Sequence, residues 1–274
     1  MKAAILTYHS QNIAGNDTAN NDHTALAADL QALHDAGCRF VSVLSLVNRL
    51  FGGGPTDSNH DPDQPVISLT FDDGCDFDVY TTEFAEFGIQ TGFLRLLEDF
   101  IRKNGQQAQP GLHATSFVIA SPEARQAIDQ GSLFGQGHMS DDWWHAAASH
   151  PLLDIGNHGW DHNHPDLPAE DYPRGGFTSV ETFEHCHHQV VQAGAFIEEK
   201  TGQWPQVFAY PFGESSDYIR NEFFPKYGGE HRSLAALGTH AGLVTAASNR
   251  WNLPRYVCGR DWSAPTELLA ALDV

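Results

Sequence analysis

Positive charge is scarce in this sequence. Fifteen Lys and Arg stand against 35 Asp and Glu, a net charge of −20 over 274 residues. Such a surface repels nucleic-acid phosphates and anionic membranes, so neither is an expected partner. Cysteine is sparse too. Cys38, Cys75, Cys186 and Cys258 are scattered, with no C-x-x-C pair. That excludes a disulfide framework or a zinc knuckle and leaves reduced, buried thiols. No apolar run is long enough to span a membrane. The start, Met1-Lys2-Ala3-Ala4-Ile5-Leu6-Thr7-Tyr8-His9, has one Lys and a short apolar stretch before a Tyr-His pair. This does not make a secretory signal, and a cytoplasmic location is expected. No Gly-x-Gly-x-x-Gly follows a strand-like run, which argues against a dinucleotide fold. With neither repeats nor a Pro/Ser linker, residues 1–274 read as one domain, and 41% hydrophobic residues suffice for a sizeable core.

What is present is organised around Val66-Ile67-Ser68-Leu69-Thr70-Phe71-Asp72-Asp73-Gly74. An apolar, strand-favouring run ends in two adjacent carboxylates and a glycine. Such a strand is buried in an α/β sheet or barrel, and its C-terminal end is where those folds carry chemistry. Two neighbouring Asp residues at the mouth of a core repel each other and resist burial unless a cation pairs with them. A divalent metal satisfies that demand, although Asp-Gly is also ordinary turn chemistry.

Along the chain, strands are expected at Ala3–Tyr8, Phe40–Val43, His113–Ala120, Leu152–Gly156, Gln206–Tyr210, Leu243–Thr245 and Arg255–Val257. Helices are expected over His23–Ala36, from a Ser45 cap to Phe51, over Phe77–Phe87, Phe93–Ile101, from Pro122, from a Thr178-x-x-Glu181 capping box to Gly202, over Tyr218–Tyr227 and over Ala264–Leu272. Gly52–Pro65 reads as a surface loop. Alternating strands and helices imply parallel β/α units with seven or eight strands, and a barrel suits them better than an open sheet.

A second cluster follows the Leu152–Gly156 strand: Asn157-His158-Gly159-Trp160-Asp161-His162-Asn163-His164-Pro165. His158 and His162 are four apart, on one face of a helical turn. Two imidazoles and one carboxylate make an open three-ligand site for Zn²⁺ or a similar ion, with Co²⁺, Ni²⁺ and Mn²⁺ as alternatives.

Thr70-Phe71-Asp72-Asp73-Gly74, His158-x-x-x-His162 and Phe208-Ala209-Tyr210-Pro211-Phe212-Gly213 occur in that order, each at an expected strand end. In this the chain resembles the polysaccharide deacetylase family, the NodB-like carbohydrate esterases. The resemblance implies a distorted (β/α)7–8 barrel and removal of N-acetyl groups from an N-acetylated sugar or polysaccharide, with release of acetate. It implies one divalent metal held by Asp73, His158 and His162, and Asp72 as general base. A backbone N–H in the Tyr210-Pro211-Phe212 turn would hold the oxyanion, with Phe212 as donor because Pro211 has no N–H. Other C–N hydrolysis on the same scaffold, such as cyclic imide or ureide opening or deformylation, is the nearest rival. An inactive carbohydrate-binding barrel is the rival of another class.

Three departures from the family pattern stand out. Gly159 occupies a place that often holds Ser or Thr, so a bracing hydroxyl is missing. His164, just before Pro165, competes with His162 as second ligand. Ala209 stands where many members have an Arg that orients the base, and Arg255, in Leu253-Pro254-Arg255, is the candidate replacement. Trp160, Trp144 and Tyr210 are the candidate substrate-binding aromatics. The family's general acid is commonly a histidine in a C-terminal Leu-x-His, but no histidine follows His240 here. The first strand instead ends in His9, resembling a circularly permuted type found among poly-N-acetylglucosamine deacetylases. His9 is thereby the candidate acid, with His240 in reserve.

Overall fold

The computed structural model describes residues 2–52, 64–84, 86–133, 135–168 and 171–274. Eight strands form one sheet: β1 (Ala3–Tyr8), β2 (Arg39–Phe40), β3 (Val66–Phe71), β6 (Ala114–Val118), β7 (Leu153–Asn157), β8 (Val207–Ala209), β9 (Ala235–Leu237) and β10 (Tyr256–Val257). A separate antiparallel hairpin pairs β4 (Thr82–Phe84) with β5 (Gly88–Gln90). The sheet order is β10-β1-β3-β6-β7-β8-β9, with β2 alongside β3. All its strand pairs are parallel. The sheet curls into a distorted barrel, and its ends meet at a single bridge, Leu237 to Leu253, just before β10. The first strand lies between β3 and the last strand, as a closed barrel requires of a permuted chain.

Strand parity decides which side chains reach the barrel mouth. On β1 and β3, Ala4, Leu6, Tyr8, Ile67, Leu69 and Phe71 face outward and pack against the helices. The alternate residues Ala3, Ile5 and Val66 face inward. His9 and Asp72 continue that inner series and open into the mouth. The same rule turns Val207 and Ala209 of β8 inward and Phe208 and Tyr210 outward. The outer layer includes Asp22–Asp35, capped by Asn21, with Leu26, Leu30 and Leu33 buried at helical spacing. Each fully buried Leu contributes about 1.5–3 kcal/mol.

Local expectations needed correction in five places. Phe77–Phe87 is not a helix. Asp76 Oδ1 accepts from Ser140 N, Ser140 Oγ and Trp143 Nε1, which fixes a short 3₁₀ turn, and the chain then forms the β4–β5 hairpin. The cap of Val43–Phe51 is Ser42, not Ser45, because Ser42 is extended and its hydroxyl accepts from Ser45 N. Thr182, not Thr178, caps the long helix, accepting from His185 N. Leu243–Thr245 makes one antiparallel bridge at Val244 and no strand. Strand β9 carried too short an apolar run to be anticipated. The expected loop Gly52–Pro65 lies outside the described residues over 53–63.

Packing is tight where β7 meets Phe117. A Cβ on Gly156 of β7 would sit 2.4 Å from Phe117 Cδ1. Gly156→Ala should therefore cost about 1–3 kcal/mol through overpacking. Urea unfolding checks this, and Phe117→Leu in the same chain should recover part of the loss. Unchanged stability in Gly156→Ala would show that the Phe117 ring is free to move.

Candidate active site

At the C-terminal end of the strands, His9, Asp72, Asp73, His158, His162 and Phe212 line one cleft of about 370 Å³. A larger depression of about 580 Å³, bordered by Arg39, Ser42 and Arg49, contains none of the expected site residues. Volume alone therefore does not locate the chemistry.

Asp72 is almost fully buried and meets the guanidinium of Arg255 in a two-pronged pair, Nη1 to Oδ1 at 2.7 Å and Nη2 to Oδ2 at 2.8 Å. Arg255 is itself wholly buried inside the barrel, donating from Nε to Gly238 O and from Nη1 to Thr70 Oγ1. Burial pushes the Asp72 carboxyl upward. Arg255, then His158, more than reverse this and hold it below the usual carboxylate range.

Asp73 sits at φ 77°, a left-handed conformation costly for a residue with a Cβ. The turn brings its Oδ1 to 3.4 Å from both His158 Nε2 and His162 Nε2. Its Oδ2 accepts from Gln11 Nε2. His158 donates from Nδ1 to Ala209 O at 2.9 Å, so Nε2 presents its lone pair to the cluster. His162 is also left-handed, φ 61°, and its ring packs edge-on against Phe212, centroids 4.4 Å apart. Phe212 is left-handed as well, φ 59°. Strain concentrated in this way marks a site that the surrounding structure must hold in place.

The electrostatics follow from burial and neighbours. Burial works against the charged form of both imidazoles. For His158 the carboxylates of Asp72 and Asp73 overcome it and the pKa rises, whereas for His162 burial wins and the pKa falls to about 3. Behind the carboxylate pair, Asp78 is fully buried and accepts from Ser10 Oγ and Ser116 Oγ. Burial, then the charges of Asp73 and Asp72, push it up to about 7.

Asp73, His158 and His162 offer ligand atoms all within 4.8 Å of one another. Bonds of about 2.0–2.1 Å from a tetrahedral centre place ligand atoms about 3.3 Å apart, so the 3.4 Å separations from Asp73 Oδ1 suit a metal ion. His164 does not join the cluster. It lines the cleft, with its Nδ1 3.8 Å from Asp166 Oδ2. His9 lines the cleft with a buried Nδ1 that has no partner, and its backbone N–H donates to Asp22 Oδ2 at 2.7 Å.

The expected substrate-binding aromatics are not on the cleft wall. Trp144 is completely buried, with the Arg125 guanidinium 4.7 Å above its ring. Tyr210 faces outward by strand parity and donates to Trp251 O. Trp160 packs between His188 and Phe196. The aromatic that does reach the cleft is Phe212, 43% exposed, valued in the sequence only for its backbone N–H. Gln11, Asp78 and Gln189 were not anticipated. Gln11 alone carried a local cue, its place two residues after His9.

A profile of the polysaccharide deacetylase family matches residues 59–223, more than half of the chain. The chain belongs to that family. The matched span contains Asp72, Asp73, His158, His162 and Phe212, whereas His9 and Arg255 lie outside it. No curated protein matches the chain in sequence. Among solved structures, the fold is similar to that of the Streptococcus pyogenes deacetylase PplD in complex with acetate. The identity is 17%, the TM-score 0.64, and the match covers 99% of this chain and 98% of that one. A de-N-acetylase from Aggregatibacter actinomycetemcomitans is similar at 13% identity and TM-score 0.62, over 95% and 96% of the two chains. IcaB from Ammonifex degensii is similar at 17% identity and TM-score 0.62, over 100% and 97%.

Removing the cation from the buried pair reverses the pH response. In the native protein the Asp72 pKa is depressed, so its contribution is present above the ordinary carboxylate pKa and is lost as pH falls through the folded value. Arg255→Met leaves a buried, unpaired carboxylate, which costs about 3–5 kcal/mol near neutrality. Protonation relieves that cost, so the stability gap between the two proteins should narrow as pH falls from 7.5 to 4.5. Unfolding curves at the two pH values test this, and a constant gap would rule it out.

Proposed function

We propose that the protein is a metal-dependent hydrolase that removes N-acetyl groups from an N-acetylated sugar or polysaccharide and releases acetate. The observation that carries this reading is the single cleft in which an Arg-clamped carboxylate, Asp72, adjoins the Asp73–His158–His162 cluster and His9. The family membership supports it, as do similar folds described as a deacetylase with acetate and as a de-N-acetylase.

Asp73, His158 and His162 would hold the metal, and Zn²⁺ suits two imidazoles and a carboxylate best. When bound there it supplies Lewis acidity toward the acetyl carbonyl and a lowered pKa for water. Arg255 keeps Asp72 ionised and fixes both its oxygens, each of which retains a lone pair for the proton of the attacking water. Phe212, left-handed and lining the cleft, would donate its backbone N–H to the developing oxyanion. An unprotonated amide nitrogen is a very poor leaving group, and His9, whose side chain lines the cleft, would deliver the proton it needs. Acetate release from N-acetylglucosamine oligomers, assayed beside cyclic imides, distinguishes this function from other C–N hydrolysis.

Asp72→Asn should retain bound metal by elemental analysis and lose turnover about 10²–10⁴-fold, the usual weight of a general base. A variant that keeps most of its kcat would assign the base elsewhere and favour a pure binding role for Asp72. His9→Ala should keep fold and metal, lose most activity on amides, and lose far less on activated acetyl esters, whose leaving groups need no proton. Equal losses on both substrates would make His9 structural.

A further inference from the structure

The segment carrying His158 and His162 contains a glycine at 159, so no side chain at that position braces residues 160 and 161. The structure shows what holds them. Gln189 is completely buried in a π-helical segment, His187–Gln192, set between the helices Phe183–Cys186 and Ala193–Thr201. Its Oε1 accepts from Trp160 N at 3.1 Å and lies 3.5 Å from Asp161 N. Its Nε2 donates to Asp161 Oδ1 at 2.6 Å and to Tyr172 Oη at 2.8 Å. The two N–H donors demand the oxygen and the carboxylate demands the NH₂, so the amide has one orientation.

The contact extends on both sides. Asp161 also accepts from Asn163 N through Oδ1 and from Arg174 Nη1 through Oδ2 at 2.6 Å. Asn157 donates from Nδ2 to Val190 O and accepts from Gly159 N. Both ends of the ligand segment are thus tied to one π-helical turn, an irregularity found most often at functional sites. The ties matter because His162 and Asn163 are both left-handed, φ 61° and 47°, and would relax if released. Gly159 is part of the same fit. It is left-handed at φ +88°, and a Cβ there would lie 3.1 Å from Gln189 Oε1.

We propose that Gln189 is a positioning residue that sets the separation of His158 and His162 by clamping the peptide groups between them. This rests on the reading of Asp73, His158 and His162 as a metal site. The experiment uses the full chain, stripped of metal and titrated with Zn²⁺ against a chromophoric chelator. Gln189→Leu should bind Zn²⁺ about 10-fold more weakly, the lower end of what losing a ligand's own hydrogen-bond partner costs, because Gln189 holds the backbone between the ligands and not the ligands themselves. Amide exchange at Trp160 and Asp161 should accelerate in the metal-free variant, and the visible spectrum of the Co²⁺-loaded variant should shift. Ile197→Ala, buried on the same helix, should lower stability while leaving the Zn²⁺ Kd and both exchange rates at wild-type values. If Gln189→Leu does not fold, Tyr172→Phe, which removes one partner of the Gln189 amide, should weaken Zn²⁺ binding several-fold. Wild-type affinity and exchange in the folded variant would overturn the proposal. Loss of affinity in Ile197→Ala matching that in Gln189→Leu would overturn it as well. A wild-type chain with no Zn²⁺ affinity would instead overturn the underlying metal-site reading, and the exchange rates at Trp160 and Asp161 would still report whether the clamp exists.

Discussion

Two carboxylates side by side at the mouth of a buried barrel are the constraint that everything else answers. Neither Asp72 nor Asp73 can stay ionised there without positive charge close by. The fold supplies it from two directions. Arg255, inside the barrel, neutralises Asp72 through both oxygens, and the His158 imidazole, its pKa raised, faces Asp73, with His162 beside it as a neutral ring. The arrangement divides the labour of two identical residues. One is locked by a permanent cation that occupies both its oxygens. The other meets neutralisable imidazoles and is open to an ion.

This division also explains the polar interior of the strands that lead to the site. Thr7 and Thr70 hydrogen-bond to each other, and Thr70 also accepts from Arg255. An apolar barrel lining would have left the guanidinium with unpaired donors, which costs more than the hydrophobic burial it replaces. Asp78, behind the pair, shows the other outcome. With serine hydroxyls as partners and no cation, its pKa is raised to about 7.

The residues that meet at the cleft could be picked out in the sequence, each on its own ground. Parity along Val66–Phe71 puts Asp72 on the inner face. The four-residue spacing of His158 and His162 suggested a helical turn, whereas their rings meet, centroids 4.9 Å apart, across a loop in which Gly159 and His162 are left-handed. Arg255 was legible only through the family resemblance, as the candidate replacement for the Arg missing at Ala209. The aromatic assignments failed for the same kind of reason in reverse. The alternation along β8 sends Tyr210 away from the cleft, and nothing local in Trp143-Trp144 tells which way either ring turns. Gln11, Asp78 and Gln189 act across separations of 62, 68 and 28 residues, where no periodic pattern links the partners. Element boundaries slipped where a side chain from elsewhere decided the matter, as Ser140 and Trp143 did for the turn at Asp76.

The separation of Asp72 from Arg255, 183 residues along the chain, carries a consequence for the order in which the protein comes into being. A ribosome adding about 5–20 residues per second needs roughly 10–40 s to travel between them. Throughout that interval the strand bearing both carboxylates has been made and its counter-ion has not. The Asp72–Arg255 pair cannot form until the chain has been made through residue 255, just before the last strand. A chain cut short before residue 255 keeps the Asp72 carboxylate and lacks the guanidinium that pairs with it.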